Sequence, residues 1–173
     1  MKPILIVIAP KEFRDEELFE TKDELEKSGQ KTVIASTIIG TCFGSKGGYA
    51  TSEILIDDIE SKNYDGVVFI GGAGSRLFFN NEHALRIAKE MNSQKKLVGA
   101  ICIAPVILAK AGILKNKKAT VFHSEIDTIK QLGTLYSEMD VTRDENIITG
   151  NGPAVSRIFA KALADELSAH FQE

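Results

Sequence analysis

The chain lacks the residues that mark a disulfide scaffold, a metal protein or a membrane protein. It has only two cysteines, Cys42 and Cys102, among 173 residues. Two cysteines are too few for a disulfide framework, and no Cys-x-x-Cys or His-x-x-x-His spacing offers a metal site, so no metal or other cofactor is expected. The first apolar run, residues 4–9, is too short for a signal-peptide core or a membrane span. We therefore expect a cytoplasmic protein that does not bind membranes.

An excess of charge of one sign is also missing. The 21 Lys and Arg residues nearly balance the 24 Asp and Glu residues, for a net charge of −3, and both signs are mixed along the chain. A nucleic acid or an anionic membrane would need a basic face, so the expected partners are small molecules or proteins. A chain of this length can bury the core of one ordinary domain, which we expect to comprise residues 1–173.

Apolar runs and amphipathic segments alternate along the chain. Apolar runs predict strands at residues 4–9, 31–36, 66–70, just before Cys102, 119–122 and 146–149. Amphipathic segments predict helices at residues 13–27, 82–92, just after Cys102, 125–132 and 153–171. A glycine-rich stretch, residues 41–56, predicts a hairpin or an irregular excursion. The alternation indicates a doubly wound α/β fold, flavodoxin-like or amidotransferase-like, in which helices sandwich a mostly parallel sheet in three layers.

Cys102 lies where an apolar strand turns abruptly into a helix, between Ala100 and Ala104. A nucleophile elbow needs small residues two positions to either side, because its central residue takes a strained backbone conformation. Pro105 begins the next helix, whose free amides and dipole would favour a thiolate. These features predict a reactive cysteine. A buried cysteine that only fills space is the alternative, and we expect Cys42 to be of that structural kind.

Other candidate residues also have plain structural alternatives. Gly71-Gly72 and His123 fall at carboxyl ends of predicted strands, where ligands of such sheets bind. Two glycines also make a tight turn, and a histidine at a strand end is often a loop residue that forms hydrogen bonds. Glu17 belongs to an acidic helix that could be wholly solvated. The run Asn151-Gly152-Pro153 can simply end a strand and begin a helix.

Three features in this order resemble the DJ-1/PfpI (ThiJ) superfamily, which is class I glutamine amidotransferase-like: the charged helix opening of residues 11–18, Gly71-Gly72, and the Cys102 elbow. The resemblance extends over residues 1–171 and implies the residues of a site. Glu17 would hydrogen-bond the Cys102 nucleophile, His123 would lie nearby, and the amides of Gly72 and Ile103 would form an oxyanion hole. Further pocket residues would be Gly71, Arg76, Asn151, Gly152 and Pro153. The resemblance also implies a homodimer.

The same resemblance implies a cysteine-dependent enzyme of the glyoxalase III or deglycase type, which would act on small reactive carbonyl compounds. One alternative is a redox-sensing, stress-protective protein or chaperone that acts through oxidation of Cys102. Another is a different small-molecule hydrolase or lyase. The family's proteases carry a histidine directly after the cysteine and a glutamate beyond the diglycine. This chain has Ile103 and Arg76 there, so we do not expect peptidase activity.

Overall fold

The computed structural model describes residues 1–170 and is built around a seven-stranded sheet. Its strands, in chain order, are β1 (Ile4–Val7), β2 (Lys11–Phe13), β3 (Thr32–Ser36), β4 (Gly40–Gly44), β5 (Tyr49–Ser52), β6 (Ile54–Leu55), β7 (Gly66–Phe69), β8 (Leu97–Ile101), β9 (Lys118–Ala119), β10 (Leu135–Tyr136), β11 (Val141–Asp144) and β12 (Ile147–Gly150). The helices are α1 (Asp15–Lys27), α2 (Glu82–Ser93), α3 (Pro105–Lys110), α4 (Ile126–Gln131) and α5 (Ser156–His170).

The central sheet has the order β11-β12-β8-β7-β1-β3-β6, and every pairing except β11 with β12 is parallel. Helices α1 and α5 cover one face, while α2, α3 and α4 cover the other. Strand β1 shows why its sequence is uninterruptedly apolar: Leu5 and Val7 belong to one buried cluster, and Ile4 and Ile6 to the other. The predicted three-layer, mostly parallel α/β fold is confirmed.

Two small sheets accompany the central one. Strands β2, β4 and β5 form the first, in which β4 and β5 make the hairpin that the glycine-rich stretch predicts. The second pairs β9 with β10. A strand across residues 119–122 was therefore a wrong prediction, because β9 ends at Ala119. Further along, the Phe122 amide donates instead to the Cys102 carbonyl, 2.7 Å away.

Other boundaries differ from the sequence pattern for local reasons. Helix α1 begins at Asp15 rather than at residue 13, because Phe13 belongs to strand β2. The antiparallel edge strand β11 was not predicted, since its sequence Val-Thr-Arg-Asp has no apolar run. Residues 153–155 form a short 3-10 helix before α5, and the predicted helix end at Phe171 lies outside the described residues. Among residues 1–170, no helix is long and apolar enough to cross a membrane.

Candidate active site

Cys102 takes a left-handed backbone conformation, with φ of +65°, directly after strand β8. Such a conformation costs a non-glycine residue about 1–3 kcal/mol, and it persists only where the surroundings impose it. Two hydrogen bonds impose it here. The Cys102 amide donates to the Gly150 carbonyl at 3.0 Å, and the Cys102 carbonyl accepts from Phe122. The strand-to-helix pattern thus yields the strained elbow that it predicts, with fully buried Ala100 and Ala104 beside it.

Glu17 is fully buried and lies beside the Cys102 thiol, with which it interacts. Its Oε1 atom accepts a hydrogen bond of 2.9 Å from the Gly71 amide. Among the described residues, its Oε2 atom has no nitrogen or oxygen partner. Burial raises the pKa of Glu17 to about 8, and this outweighs the opposing effects of the Gly71 amide and the thiol. The carboxyl is therefore mostly protonated at neutral pH, rather than being a solvated charge on the helix surface.

The Cys102 thiol is also held in its protonated form. Burial, followed by the negative charge of ionised Glu17, raises the pKa of Cys102 to about 12, although the amides of Gly72 and Ile103 act in the opposite direction. The free amides and the dipole of the following helix, which favour a thiolate, do not outweigh burial here. Helix α3 has only six residues, and only 7% of the surface of Cys102 is exposed. The two amides nevertheless interact with the sulfur.

The Gly71-Gly72 pair packs too closely against its neighbours for any side chain. A Cβ atom on Gly71 would lie 2.5 Å from the Cys102 Cβ and 2.6 Å from Glu17 Oε1. Gly72 has φ of +97°, and a Cβ there would lie 2.6 Å from the Arg14 amide nitrogen. The two glycines therefore both make the tight turn after strand β7 and form part of the site. Without side chains, they let the chain after β7 pack against both Cys102 and helix α1.

A cavity of about 350 Å³ opens above the sulfur. Three of its lining residues are cationic, and within residues 1–170 no carboxylate lines it: Arg14, Ser45, Lys46, Gly72, Ala73, Arg76, Cys102, Ile103, Phe122, Ser124 and Pro153. Arg14 pairs with Glu16 at 2.7 Å, and Arg76 pairs with the buried Glu125 at 2.9 Å. Sequence reasoning did not single out six of these residues: Arg14, Ser45, Lys46, Ala73, Phe122 and Ser124. Arg14 lies in the charged opening of residues 11–18 and Ala73 follows the diglycine, whereas no local motif marks the other four.

Ser45 and Lys46 reach the cavity because Asp15 holds the turn of the β4–β5 hairpin. The buried Asp15 carboxylate accepts hydrogen bonds from the amides of Lys46 at 2.9 Å and Gly48 at 2.7 Å. Gly44 and Gly48 leave room for this carboxylate, since a Cβ on either would collide with it. The sequence offers one signal for this arrangement, an acidic residue at the first position of α1 followed by a glycine-rich hairpin. That signal does not specify that Asp15 pairs with the hairpin amides.

His123 does not line the cavity at Cys102, although the resemblance implies a histidine near the sulfur. It is exposed and lines a neighbouring cavity of about 330 Å³, together with Asn151 and Gly152. The Phe122 ring lies 4.2 Å from the His123 ring, and Phe122 rather than His123 faces the sulfur cavity. Of the predicted Asn151-Gly152-Pro153 loop, only Pro153 reaches that cavity. Nowhere in residues 1–170 do three His, Cys, Asp or Glu side chains form a group that could hold a metal ion.

Comparisons with known proteins agree with this architecture. The model of the DJ-1/PfpI family matches residues 2–166. An uncharacterized protein of Methanocaldococcus jannaschii is 43% identical over 159 residues, which are 90% of this chain and 78% of that protein. A deglycase of Pyrococcus horikoshii is 30% identical over 150 residues, 87% of this chain and 90% of the enzyme. The crystal structure of a ThiJ/PfpI domain protein from Brachyspira murdochii superimposes with a TM-score of 0.95 at 32% identity, covering 98% of this chain and 99% of that one.

Proposed function

The chain belongs to the DJ-1/PfpI family, and from that premise we propose that it is a cysteine-dependent enzyme that acts on small reactive carbonyl compounds. The observation that carries the proposal is the contact of three groups with one sulfur atom: the buried Glu17 carboxyl and the amides of Gly72 and Ile103. The deglycase name of the Pyrococcus horikoshii relative supports the same class of chemistry.

The first step uses Glu17 as a general base. Because its pKa is about 8, a fraction of Glu17 is ionised at neutral pH, and this carboxylate takes the Cys102 proton as the sulfur attacks. The carbon–sulfur bond forms at the aldehyde carbon, and the carbonyl electron pair moves to oxygen. The amides of Gly72 and Ile103 are placed to stabilise that oxyanion without reorganising. Glu17 then returns the proton to the oxygen, which gives a hemithioacetal.

A 2-oxoaldehyde such as methylglyoxal can proceed from there without a redox cofactor. Glu17 removes the proton from the carbon that carries sulfur, and it delivers a proton to the neighbouring carbon through an enediol. The product is a thioester of a 2-hydroxy acid. Water cleaves this thioester and releases lactate and the Cys102 thiol, so the net reaction adds one water to the substrate. The cavity of about 350 Å³ has room for a substrate of this size.

The site gives less support to the other functions considered. A thiol protease needs an oriented base that takes the thiol proton and then delivers a proton to the leaving amine. The residue after the cysteine is the apolar Ile103, the guanidinium of Arg76 pairs with Glu125, and in the described chain no histidine lines the cavity. A redox sensor needs a resting thiolate, whereas burial and the negative charge of ionised Glu17 raise the pKa of the Cys102 thiol. The homodimer and the cytoplasmic location stay predictions.

Steady-state consumption of methylglyoxal, in buffers free of thiols and amines, tests the proposal. The matched variants are Cys102→Ala and Cys42→Ala, because Cys42 is the other free cysteine and is fully buried away from the cavity. We expect turnover by the wild type and by Cys42→Ala, and loss of turnover in Cys102→Ala. Absence of turnover in the wild type, or equal turnover in Cys102→Ala, would refute the assignment. Loss of the thiol without turnover would instead favour the sensor.

A further inference from the structure

Two cavities lie side by side at the carboxyl ends of the strands, and they share two wall residues. The first contains Cys102, and the second is lined by His123 and Tyr136. Phe122 and Pro153 line both. Their volumes are similar, about 350 and 330 Å³. The wall between the Cys102 cavity and the His123 cavity therefore includes one aromatic ring, that of Phe122. We call this wall, formed by Phe122 and Pro153, the partition.

The position of the Phe122 ring is fixed on several sides. Its backbone amide donates to the Cys102 carbonyl at 2.7 Å, which ties this part of the chain to the elbow. A Cβ atom on Gly152 would lie 3.2 Å from the ring, which shows that the ring packs directly on that glycine. On another side, the His123 ring lies 4.2 Å away at an interplanar angle of 35°. Phe122 is half-buried, and its ring packs against Gly152 and His123 where the two cavities meet.

We propose that Phe122 is a specificity-determining residue, whose ring excludes bulky groups from Cys102 by closing its cavity against the His123 cavity. This inference rests on the proposed function, which supplies the substrate class of small reactive carbonyl compounds. It narrows that class to carbonyl compounds with a short aliphatic chain. A 2-oxoaldehyde that carries a methyl group fits beside the ring. One that carries a phenyl group needs the space beyond it.

The second cavity has the chemistry to accept an aromatic group once the wall is removed. Val121, Tyr136 and Pro153 supply apolar and aromatic surface. The Tyr136 ring is held in place by the Lys130 ammonium, which lies 5.4 Å from the ring centroid. Tyr136 lines this cavity and does not line the sulfur cavity. Truncation of Tyr136 should therefore change kcat/KM only for a substrate that extends from the Cys102 cavity into the His123 cavity.

A double-mutant cycle tests the inference with methylglyoxal and phenylglyoxal as substrates. We expect Phe122→Ala to raise the ratio of kcat/KM for phenylglyoxal to that for methylglyoxal by about tenfold or more, the scale at which pockets discriminate by size. Tyr136→Ala should leave the ratio unchanged in the wild-type background and change it in the Phe122→Ala background, because only there does the phenyl group reach Tyr136. An unchanged ratio in Phe122→Ala, or equal effects of Tyr136→Ala in both backgrounds, would overturn the inference.

A second readout does not depend on turnover. Iodoacetamide and its N-benzyl derivative differ in the size of the group carried to the sulfur, and mass spectrometry of the Cys102 peptide reports alkylation there separately from Cys42. We expect Phe122→Ala to raise the ratio of benzyl to parent alkylation rates by about tenfold, with Phe122→Leu in between. Phe122→Leu retains most of the apolar volume, so it guards against a folding defect. A wild type that does not consume methylglyoxal refutes the proposed function, whereas an unchanged alkylation ratio in both variants refutes the role of Phe122.

Discussion

The Gly71 amide donates a hydrogen bond of 2.9 Å to Oε1 of Glu17, across 54 positions of the sequence. This bond ties the end of strand β7 to helix α1 and fixes the only buried carboxyl that interacts with Cys102 within residues 1–170. It also occupies Oε1, whereas Oε2 has no hydrogen-bond partner among the described residues and is the oxygen left to carry the proton. This geometry holds the Glu17 carboxyl beside the Cys102 thiol, where the proposed proton transfer needs it.

The first prediction concerns the pH dependence of the reaction. Because ionised Glu17 is the base, kcat/KM should rise as the pH increases through about 8, the pKa of Glu17. Glu17→Gln keeps an oxygen to accept from Gly71 but cannot take a proton, so it should lower kcat/KM by about 100-fold or more and remove this rise. Steady-state rates across the pH range measure both effects.

Glu20→Gln is the matched control, since Glu20 belongs to the same helix and is partly exposed at 3.9 Å from Arg157. It should retain the wild-type profile. A Glu17→Gln variant with full activity and the same rise would show that another group supplies the base.

The second prediction concerns stability. The folded state raises the pKa of Glu17 to about 8 from an unfolded value near 4, so between these values the folded protein binds more protons than the unfolded chain. Glu17 therefore lowers the free energy of unfolding as the pH rises, by up to about 5 kcal/mol across this window. Glu17→Gln should remove most of this slope. Denaturant unfolding at about pH 5 and about pH 8 checks it, and equal slopes in both proteins would contradict the assigned pKa.

The third prediction compares two glycines that become alanine. Gly71→Ala places a Cβ within 2.5 Å of the Cys102 Cβ and 2.7 Å of the Ile101 carbonyl oxygen, so it should displace the nucleophile and abolish activity. Gly29→Ala meets nothing within 4 Å but must adopt φ of +92°, so it should cost about 1 kcal/mol and leave activity intact. Thermal unfolding and methylglyoxal assays separate the two. Equal activity losses would mean that the collision at Gly71 is relieved.

The sequence pattern predicts the layers of the fold and the elbow at Cys102 better than it predicts the residues that line the cavity. The apolar run at Ile4–Val7 and the strand-to-helix junction at Cys102 fix the layers and the elbow, because burial on both faces of a strand leaves a local signature. The orientation of Phe122 has no such signature, since it depends on one amide reaching the Cys102 carbonyl. The raised pKa of Cys102 has no local signature either, because the helix dipole is a local feature but burial is set by the whole fold.

The last prediction concerns Asp15, whose carboxylate holds the hairpin turn over the cavity through the amides of Lys46 and Gly48. Asp15→Asn weakens two charge-assisted hydrogen bonds, so we expect it to lower the free energy of unfolding by about 2 kcal/mol. Because the turn carries cavity residues but touches neither Glu17 nor the sulfur, KM should rise more than kcat falls. Asp23→Asn is the control: Asp23 forms only an exposed pair with Lys27 on the same helix, and its loss should change neither parameter. Denaturant unfolding and steady-state kinetics measure both variants. A fall in kcat at unchanged KM would place Asp15 in the chemical step, because a loosened wall weakens binding before it affects proton transfer.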